Sequence, residues 1–416
     1  MATTKALGRD AWLNYFRDQS NGSVNLKFDV YGPVKVDLPV RQLMAFIEYG
    51  GSAIRKAIDK LAETGTYDFS AYDWDGDGAV EQVLFVAAGY SGHQVRGYIY
   101  PNTGTFFKQL TGGLKPNLAS VSCEQWSDNS LCGIGTIIHE FLHCLGLPDI
   151  YPLGATTAFS VVDEWDVMDG GNYTNKGWCP PNLTAMERMY LGWESPVELT
   201  EPATIDGMKP LGQGGQTYVV RSDYNSDFYI MENRRQEGWD YACPVNGLLI
   251  YHVDFDKDSW GNCMVNTDDN HFRYDLFHAD GKNYLVWDPN NNGKDYSKWT
   301  MSNWMRSSYL STSPYPYIDA QSNVINDALT DDSTPVASLF ASADGLNLMG
   351  KSITNIRLAD DGTVSFDFMK SAATGTASTP CIPDSSAWFS LSGRKLSGKP
   401  TEKGVYVNNN RKVVIR

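Results

Sequence analysis

Residues 135–149 read GTIIHEFLHCLGLPD, an apolar stretch that predicts a helix carrying His139 and His143 four positions apart. Side chains at this spacing lie on one helical face about a turn apart, so the two imidazoles can share one tetrahedral Zn²⁺. Glu140 is adjacent in sequence but rotated by about 100° around the helix, away from the ligand face. It cannot easily ligate the metal, but it can reach water there and act as a general base.

The residues after this helix complete a zinc site. Gly146 suits a helix C-terminus, where the chain must adopt a positive φ to turn back. Asp149 follows three residues later and is placed to supply a third ligand beside His139 and His143. A catalytic zinc takes three protein ligands and leaves one position open, and these residues fill that count. The alternative is a core helix whose histidines hydrogen-bond to backbone carbonyls.

A second segment, 164–173 (EWDVMDGGNY), follows the zinc ligands in the sequence. In the metzincin zinc proteases, a tight turn with a methionine under the metal follows the ligand helix at variable distance. We therefore expect Met168 to form a Met-turn, although most methionines simply fill the core. Tyr173 is a candidate for polarising the oxyanion of a tetrahedral intermediate, and its alternative role is packing.

Three motifs carry a family resemblance: HEFLHCLGLPDIY at 139–151, WDVMDGG at 165–171 and LTAMERMYLGW at 183–193. They resemble the immune inhibitor A family of secreted bacterial zinc metallopeptidases, and the similarity extends over about residues 10–370. The resemblance implies hydrolysis of peptide bonds in protein substrates by a zincin-like domain. It also implies the same site roles as the spacing, with Glu140 as general base and, as zinc ligands, His139, His143 and Asp149.

The sequence pattern changes near residue 200. From there on, short apolar runs are separated by Gly, Asn and Asp, a pattern typical of a β-sandwich. Further along, the segment 371–383 is rich in Ser, Thr, Ala and Pro, which predicts a linker. We expect an α+β zincin/metzincin-like catalytic domain, a β-sandwich-like region packed on it, the linker and a short β tail. Their predicted bounds are 1–199, 200–370, 371–383 and 384–416.

Local patterns predict several elements before residue 100. A strand is predicted by the alternation between Val24 and Val36, and an amphipathic helix by Ile54, Ile58 and Leu61. Residues 80–88 read as a buried strand.

An acidic loop at 72–81 (YDWDGDGAVE) resembles the start of an EF-hand. Carboxylates at loop positions 1, 3 and 5 converge on one hard cation, and the glycine at position 6 makes the sharp turn. Position 12 would be Leu84 rather than Glu, so the loop is not an EF-hand. The alternative is a solvated Asp/Gly turn. We favour a structural Ca²⁺, because the family carries a similar loop; the predicted ligands are Asp73, Asp75, Asp77, the carbonyl of Ala79 and Glu81.

The C-terminus reads as a compact β unit, with AWFSLSGRKL at 387–396 and KGVYVNNNRKVVIR at 403–416. It resembles the sorting tail that the Por (type IX) secretion system recognises in some Gram-negative bacteria. This resemblance implies contact with secretion machinery and a location outside the cell or on its outer surface. The alternative is an ordinary terminal hairpin. Residues 1–10 lack the charged and apolar regions of a signal peptide, as in a cytosolic protein or a mature form of an exported one.

Composition argues against two classes of protein. The chain of 416 residues carries 34 Lys and Arg against 49 Asp and Glu, a net charge of −15. It contains no basic cluster, whereas nucleic-acid binding needs local positive charge. No apolar run approaches the roughly 18 residues of a membrane span.

The seven cysteines include no C-x-x-C pair, so they indicate neither a zinc ribbon nor a redox dithiol.

These features predict a secreted zinc endopeptidase with protein substrates, a catalytic Zn²⁺ and a structural Ca²⁺. Because its ligands must be deprotonated, activity should fall in acid, and chelators should abolish it. The alternative is a non-catalytic cell-surface protein that uses the zincin scaffold to bind host glycoprotein or glycan. The presence of Glu140 favours the enzyme, because a scaffold does not need a general base.

Overall fold

The fold was obtained as a computed structural model. It describes residues 11–37, 52–64, 68–92, 94–95, 97–105, 113–153, 160–268, 271–282, 310–340, 347–370, 388–390, 395–396, 399–401, 403–408 and 411–415. This part of the chain is mixed α and β with several small sheets. Contacts group the chain into two compact units, Met1–Lys370 and Ser371–Arg416. The predicted linker, 371–383, lies outside the described residues. Within them, no helix is long and apolar enough to cross a membrane.

The first unit begins with two helices and a three-stranded sheet, whose elements are α1 (Ala11–Gln19), α2 (Ser52–Glu63), β1 (Ala79–Tyr90), β2 (Asn102–Gly104) and β3 (Lys115–Gln125). The order is β1-β3-β2, with β1 parallel and β2 antiparallel to β3. The predicted helix is confirmed as α2, and β1 confirms a strand at 80–88. The predicted burial of that strand is wrong, because only Val80 of β1 is buried and Val86 is exposed. Ile54 and Ile58 of α2 pack into one core with Val80 and Val121.

The strand predicted between Val24 and Val36 is wrong, because the described chain has no strand there. Its alternation has a different cause. Val24, Leu26 and Phe28 turn one side of an extended segment toward the main core, where they are partly buried. Period-two burial reports an extended backbone, whereas a strand also needs a hydrogen-bonded neighbour.

The zinc-motif helix is α3 (Gly135–Cys144), and α4 follows at Ala185–Tyr190. Ile138 and Leu142 of α3 are fully buried in the main core. A capping box starts α4: the backbone N–H of Glu187 donates to the hydroxyl of Thr184, and the Glu187 carboxylate accepts from the Thr184 backbone N–H.

The rest of this unit is mainly β, with the elements β4 (Val197–Glu198), β5 (Ala203–Met208), β6 (Tyr218–Arg221), β7 (Phe228–Arg234), β8 (Gly247–Val253), α5 (Lys257–Gly261), β9 (Tyr274–Leu276), β10 (Tyr317–Ile318), β11 (Val324–Asn326), β12 (Ile353–Leu358) and β13 (Val364–Phe368). A five-stranded sheet has the order β4-β6-β7-β8-β9, a three-stranded sheet the order β12-β13-β5, and β10 pairs with β11. Short 3₁₀ turns lie at Ser70–Tyr72, Asp163–Trp165, Gly171–Gly177, Leu211–Gln213 and Gly238–Asp240.

Every residue of β7 and β8 is buried, because the five-stranded sheet is covered on both faces. Ile230 and Tyr251 belong to the core that includes α3. Tyr229 and Ile250 belong to a second core, shared with the three-stranded sheet. A strand covered on both faces reads as a continuous apolar run. Residues on both sides of the predicted boundary at 199/200 therefore share the main core, and 1–370 forms one compact unit.

The second unit contains a four-stranded antiparallel sheet of β14 (Trp388–Ser390), β15 (Lys395–Leu396), β16 (Gly404–Asn408) and β17 (Arg411–Ile415). The strand order is β15-β14-β16-β17. The compact β unit predicted for the tail is confirmed, and its role in sorting stays a prediction.

Candidate metal centre

Helix α3 places both predicted histidine ligands on one face, with ring centroids of His139 and His143 4.8 Å apart. Gly146 ends the helix at φ +94°, and its N–H donates to the His143 carbonyl at 3.0 Å. The N–H of Leu147 donates to the Leu142 carbonyl at 3.1 Å. These two bonds form a Schellman motif, which reverses the chain as the glycine predicted.

The reversal brings Asp149 back onto the histidine face. Its Oδ1 lies 3.2 Å from Nε2 of His139 and 3.3 Å from Nε2 of His143. One potential ligand atom from each of the three residues lies within 4.8 Å of the other two. The structure thus brings together the ligand set that the sequence indicates.

Backbone carbonyls fix the orientation of both imidazoles. Nδ1 of His139 lies 2.9 Å from the Val167 carbonyl, and Nδ1 of His143 lies 2.9 Å from the Leu147 carbonyl. A carbonyl can only accept, so each Nδ1 carries the proton and donates it. In the neutral rings, each Nε2 therefore presents its lone pair to Asp149. Such backbone support is the usual arrangement around metal-binding histidines.

The donor set fits a cation. Oδ1 of Asp149 is buried and receives no hydrogen bond from the described residues. It faces two imidazole lone pairs, and three converging lone pairs repel one another unless a positive charge lies among them. Two imidazole nitrogens and one carboxylate oxygen are ligand types that Zn²⁺ takes in catalytic sites, with a further position left open.

The close approach of these side chains shifts the pKa values of His139 and Asp149. Burial alone would lower the pKa of His139, but the adjacent Asp149 carboxylate outweighs it and raises that pKa to about 9. Burial likewise opposes ionisation of Asp149, yet the two imidazoles hold its pKa below the usual range. A cation and a proton therefore compete for Nε2 of His139.

Glu140 lies beside the ligands and is only 4% exposed. Burial is the main cause that raises its pKa, opposed by His139, His143 and a hydrogen bond from Thr103. The hydroxyl of Thr103 lies 2.9 Å from Oε2 of Glu140. A carboxylate with a raised pKa is suited to general-base work near neutral pH.

The expected Met-turn lies against the ligands and supports them through its backbone. Met168 is fully buried, and its N–H donates to Oδ1 of Asp166 at 2.7 Å. The Met168 carbonyl accepts the N–H of Ile150, next to Asp149, at 2.9 Å. The preceding carbonyl, that of Val167, orients His139. The turn therefore positions one ligand and the segment that carries another.

Asp169 organises the loop that leads into this turn. Its Oδ2 accepts three backbone N–H groups, from Val161 at 3.0 Å and from Val162 and Asp163 at 2.9 Å each. The hydroxyl of Ser160 donates to its other oxygen. One buried carboxylate thus satisfies the polar backbone of the loop.

Two tyrosines lie on the segments that follow the zinc-motif helix. The ring of Tyr173, the oxyanion candidate, packs edge-on against Trp126 at a centroid distance of 6.0 Å. Sequence reasoning missed Tyr151, whose ring stacks on His139 with centroids 6.4 Å apart. Burial and then the Asp149 charge raise the pKa of Tyr151 above its usual value. Its place two residues after Asp149 could have signalled it.

The acidic loop brings together three of its predicted calcium ligands. Carboxylate oxygens of Asp73, Asp75 and Glu81 lie within 4.8 Å of one another. Asp77 is not in this group, and its Oδ1 accepts the N–H of Ala79 at 2.7 Å. Glu81 accepts the N–H of Trp74 through Oε1 at 2.7 Å, and within the described residues its Oε2 is buried without a hydrogen-bond partner.

Comparisons with known proteins find no match, either among protein-family models or among curated proteins. The functional interpretation therefore depends on the sequence motifs and on the geometry of the site.

Proposed function

We propose that this chain is a secreted, zinc-dependent endopeptidase that hydrolyses peptide bonds of proteins. The observation that carries the proposal is the convergence of three ligand atoms, from His139, His143 and Asp149, beside the buried carboxylate of Glu140. A zinc ion held by these three residues supplies the Lewis acidity that hydrolysis of a peptide carbonyl requires.

Residues of the chain carry out proton transfer and orient the imidazoles. The carboxylate of Glu140 takes a proton from the water that attacks the scissile carbonyl, and then delivers it to the leaving amine nitrogen. Val167 and Leu147 hold the imidazoles with Nε2 toward the ligand position. Burial of Glu140 keeps bulk water from competing for its proton.

The proposal includes the zincin-like fold class and export through the C-terminal tail. The packing of α3 against β2 and β3 supports the fold class, because it joins the ligand helix to a mixed sheet. The compact antiparallel sheet of residues 388–415 supports the sorting tail, for which secretion machinery is the proposed partner.

The second candidate function is the non-catalytic surface protein that binds host glycoprotein or glycan. The surroundings of Glu140 argue against it. This acidic side chain is buried beside the ligands, which costs free energy that a binding scaffold has no reason to bear. The enzyme proposal accounts for that position, because a general base must adjoin the metal.

The direct test is hydrolysis of casein by the purified full chain. We expect cleavage that a chelator abolishes and added Zn²⁺ restores, with about one zinc per chain. Asp149→Asn should weaken zinc binding at least about 100-fold and remove activity, because it replaces a ligand. Asp223→Asn is the matched control, since Asp223 is 71% exposed and pairs with Lys351 on the surface. Cleavage that persists without bound zinc would overturn the proposal.

We also propose that the acidic loop holds a structural Ca²⁺ through Asp73, Asp75 and Glu81. Calcium takes oxygen ligands, and three carboxylates close together repel one another unless a cation lies among them. The Oε2 of Glu81, buried with no hydrogen bond from the described part of the chain, supports a ligand role. The alternative of a solvated turn is supported by the hydrogen bonds from the loop's own N–H groups to Asp73 and Asp75.

Calcium should raise the melting temperature of the wild-type chain. A ligand at 100 times its Kd stabilises the folded state by about 2.7 kcal/mol. Glu81→Gln should remove most of this shift, whereas Asp77→Asn should keep it, because Asp77 lies outside the group. Differential scanning calorimetry of zinc-loaded protein, with and without Ca²⁺, measures both. Equal shifts in the two variants would contradict the proposed ligand set.

A further inference from the structure

Two hydroxyl groups connect the sheet to Glu140. Thr103 and Ser120 are directly paired residues of the antiparallel strands β2 and β3, with their side-chain oxygens 2.8 Å apart. The Thr103 hydroxyl lies 2.7 Å from the Glu140 backbone carbonyl and 2.9 Å from its Oε2. The Ser120 hydroxyl lies 3.0 Å from the same carbonyl. Three elements of the fold thus meet at one residue.

These contacts exceed what packing of the helix requires. The Glu140 carbonyl lies inside α3, where the backbone N–H of Cys144, four residues on, is its helical partner, so hydroxyls from a sheet are not needed to satisfy it. A hydroxyl group has one proton and two acceptor lone pairs. With Glu140 ionised, Thr103 donates to Oε2 while Ser120 donates to the carbonyl, so the carboxylate and the carbonyl each receive one hydroxyl proton.

The same pair also serves the protonated form. When Glu140 carries the proton taken from water, it donates to Thr103, and Thr103 then donates to the Glu140 carbonyl. Ser120 is left to donate to Thr103. Because each hydroxyl can reverse its role, the carboxyl group can stay in one place before and after it takes the proton. A general base gains rate from such a fixed position.

We propose that Thr103 is a positioning residue for Glu140, with Ser120 as its supporting partner. The inference rests on the proposed peptidase function and adds residues outside the zinc motif to it. Thr103 hydrogen-bonds to Glu140 and is not in the metal-ligand group, so it acts through Glu140. Its removal should lower the rate of the chemical step while leaving substrate binding and zinc content unchanged.

The test compares Thr103→Val, which removes the hydroxyl at nearly constant size, with Thr103→Ser, which keeps it. We expect kcat for a peptide substrate to fall roughly 10- to 100-fold in Thr103→Val, with KM and zinc content within about twofold of wild type. Thr103→Ser should recover kcat to within about threefold. Thr354→Val is the matched control, since the Thr354 hydroxyl is buried and forms no hydrogen bond to any residue that the structure describes. It should leave kcat unchanged.

Crystal structures of the wild type and of Thr103→Val add a measurement that does not depend on activity. We expect the Glu140 carboxylate to leave its position beside β2 in the variant. An unchanged carboxylate, an unchanged kcat or a failure of Thr103→Ser to recover would each overturn the proposal. If the wild type hydrolyses nothing, the peptidase proposal fails, and the crystallographic comparison alone decides the role of Thr103.

Discussion

Glu140→Gln should stop peptide hydrolysis and leave the zinc site intact. The substitution keeps the size of the side chain and an oxygen that can accept from Thr103, but an amide cannot take the proton of the attacking water. General-base catalysis contributes about 10²- to 10⁴-fold, so kcat should fall by at least that factor. Zinc content should stay at about one per chain, because Glu140 is not in the ligand group.

Casein hydrolysis and metal analysis on the same preparations measure both effects. Glu124→Gln is the matched control, since Glu124 is an exposed carboxylate on β3 of the neighbouring sheet. A variant that keeps its rate would show that Glu140 is not the base. Loss of zinc in Glu140→Gln would show that the carboxylate supports the ligands instead. A wild type that binds zinc without any hydrolysis would favour the glycoprotein-binding alternative.

The sequence predicts the zinc ligands because their geometry is local. The spacing of His139 and His143 translates directly into one helical face, and Gly146 reverses the chain toward Asp149. The supports of these ligands are different. His139 is oriented by Val167, 28 residues away, and Glu140 contacts Thr103, 37 residues away. Only packing brings such groups together, and a carbonyl leaves no mark in the sequence because every residue has one.

The same distinction between local patterns and long-range packing applies to the fold. Patterns with one buried face, such as Ile54 and Ile58 on α2, give the element and its orientation. A run such as Phe228–Arg234 gives a strand but not what covers each face, because burial on both sides removes the alternation. The extended segment with Val24 and Leu26 shows the opposite failure. Its alternation is real, but the neighbour that would make it a strand is absent from the described chain.

No pattern in the sequence predicts the buried ionic network around Arg234. Arg234, at the end of β7, is fully buried between two carboxylates. Its Nη1 donates to Glu232 at 2.7 Å, and its Nε and Nη2 donate to the two oxygens of Asp240 at 2.9 and 2.8 Å. Nη2 also lies 3.2 Å from the carbonyl of Trp165, just before the Met-turn. The network therefore connects the five-stranded sheet to the segment that enters the Met-turn, where the Val167 carbonyl orients His139.

Neighbouring groups donate further hydrogen bonds to the carboxylates of Glu232 and Asp240. Glu232 accepts the hydroxyl of Tyr251 at 2.8 Å and the N–H of Ala185, at the start of α4, at 2.6 Å. Asp240 accepts the N–H of Asn182 at 2.9 Å. These partners are neutral, and among the described residues the guanidinium of Arg234 is the cation that forms ion pairs with both acids.

Arg234→Met should destabilise the first unit by about 3–5 kcal/mol, because removing one partner leaves buried charges uncompensated. Arg221→Met, at a half-exposed pair with Glu198, should cost about 1 kcal/mol or less. Urea unfolding of zinc-loaded protein, followed by tryptophan fluorescence, measures both. The triple variant Arg234→Met, Glu232→Gln, Asp240→Asn should recover part of the loss, because neutral amides no longer need the cation. Equal costs for Arg234→Met and Arg221→Met would show that the buried acids are neutralised in another way.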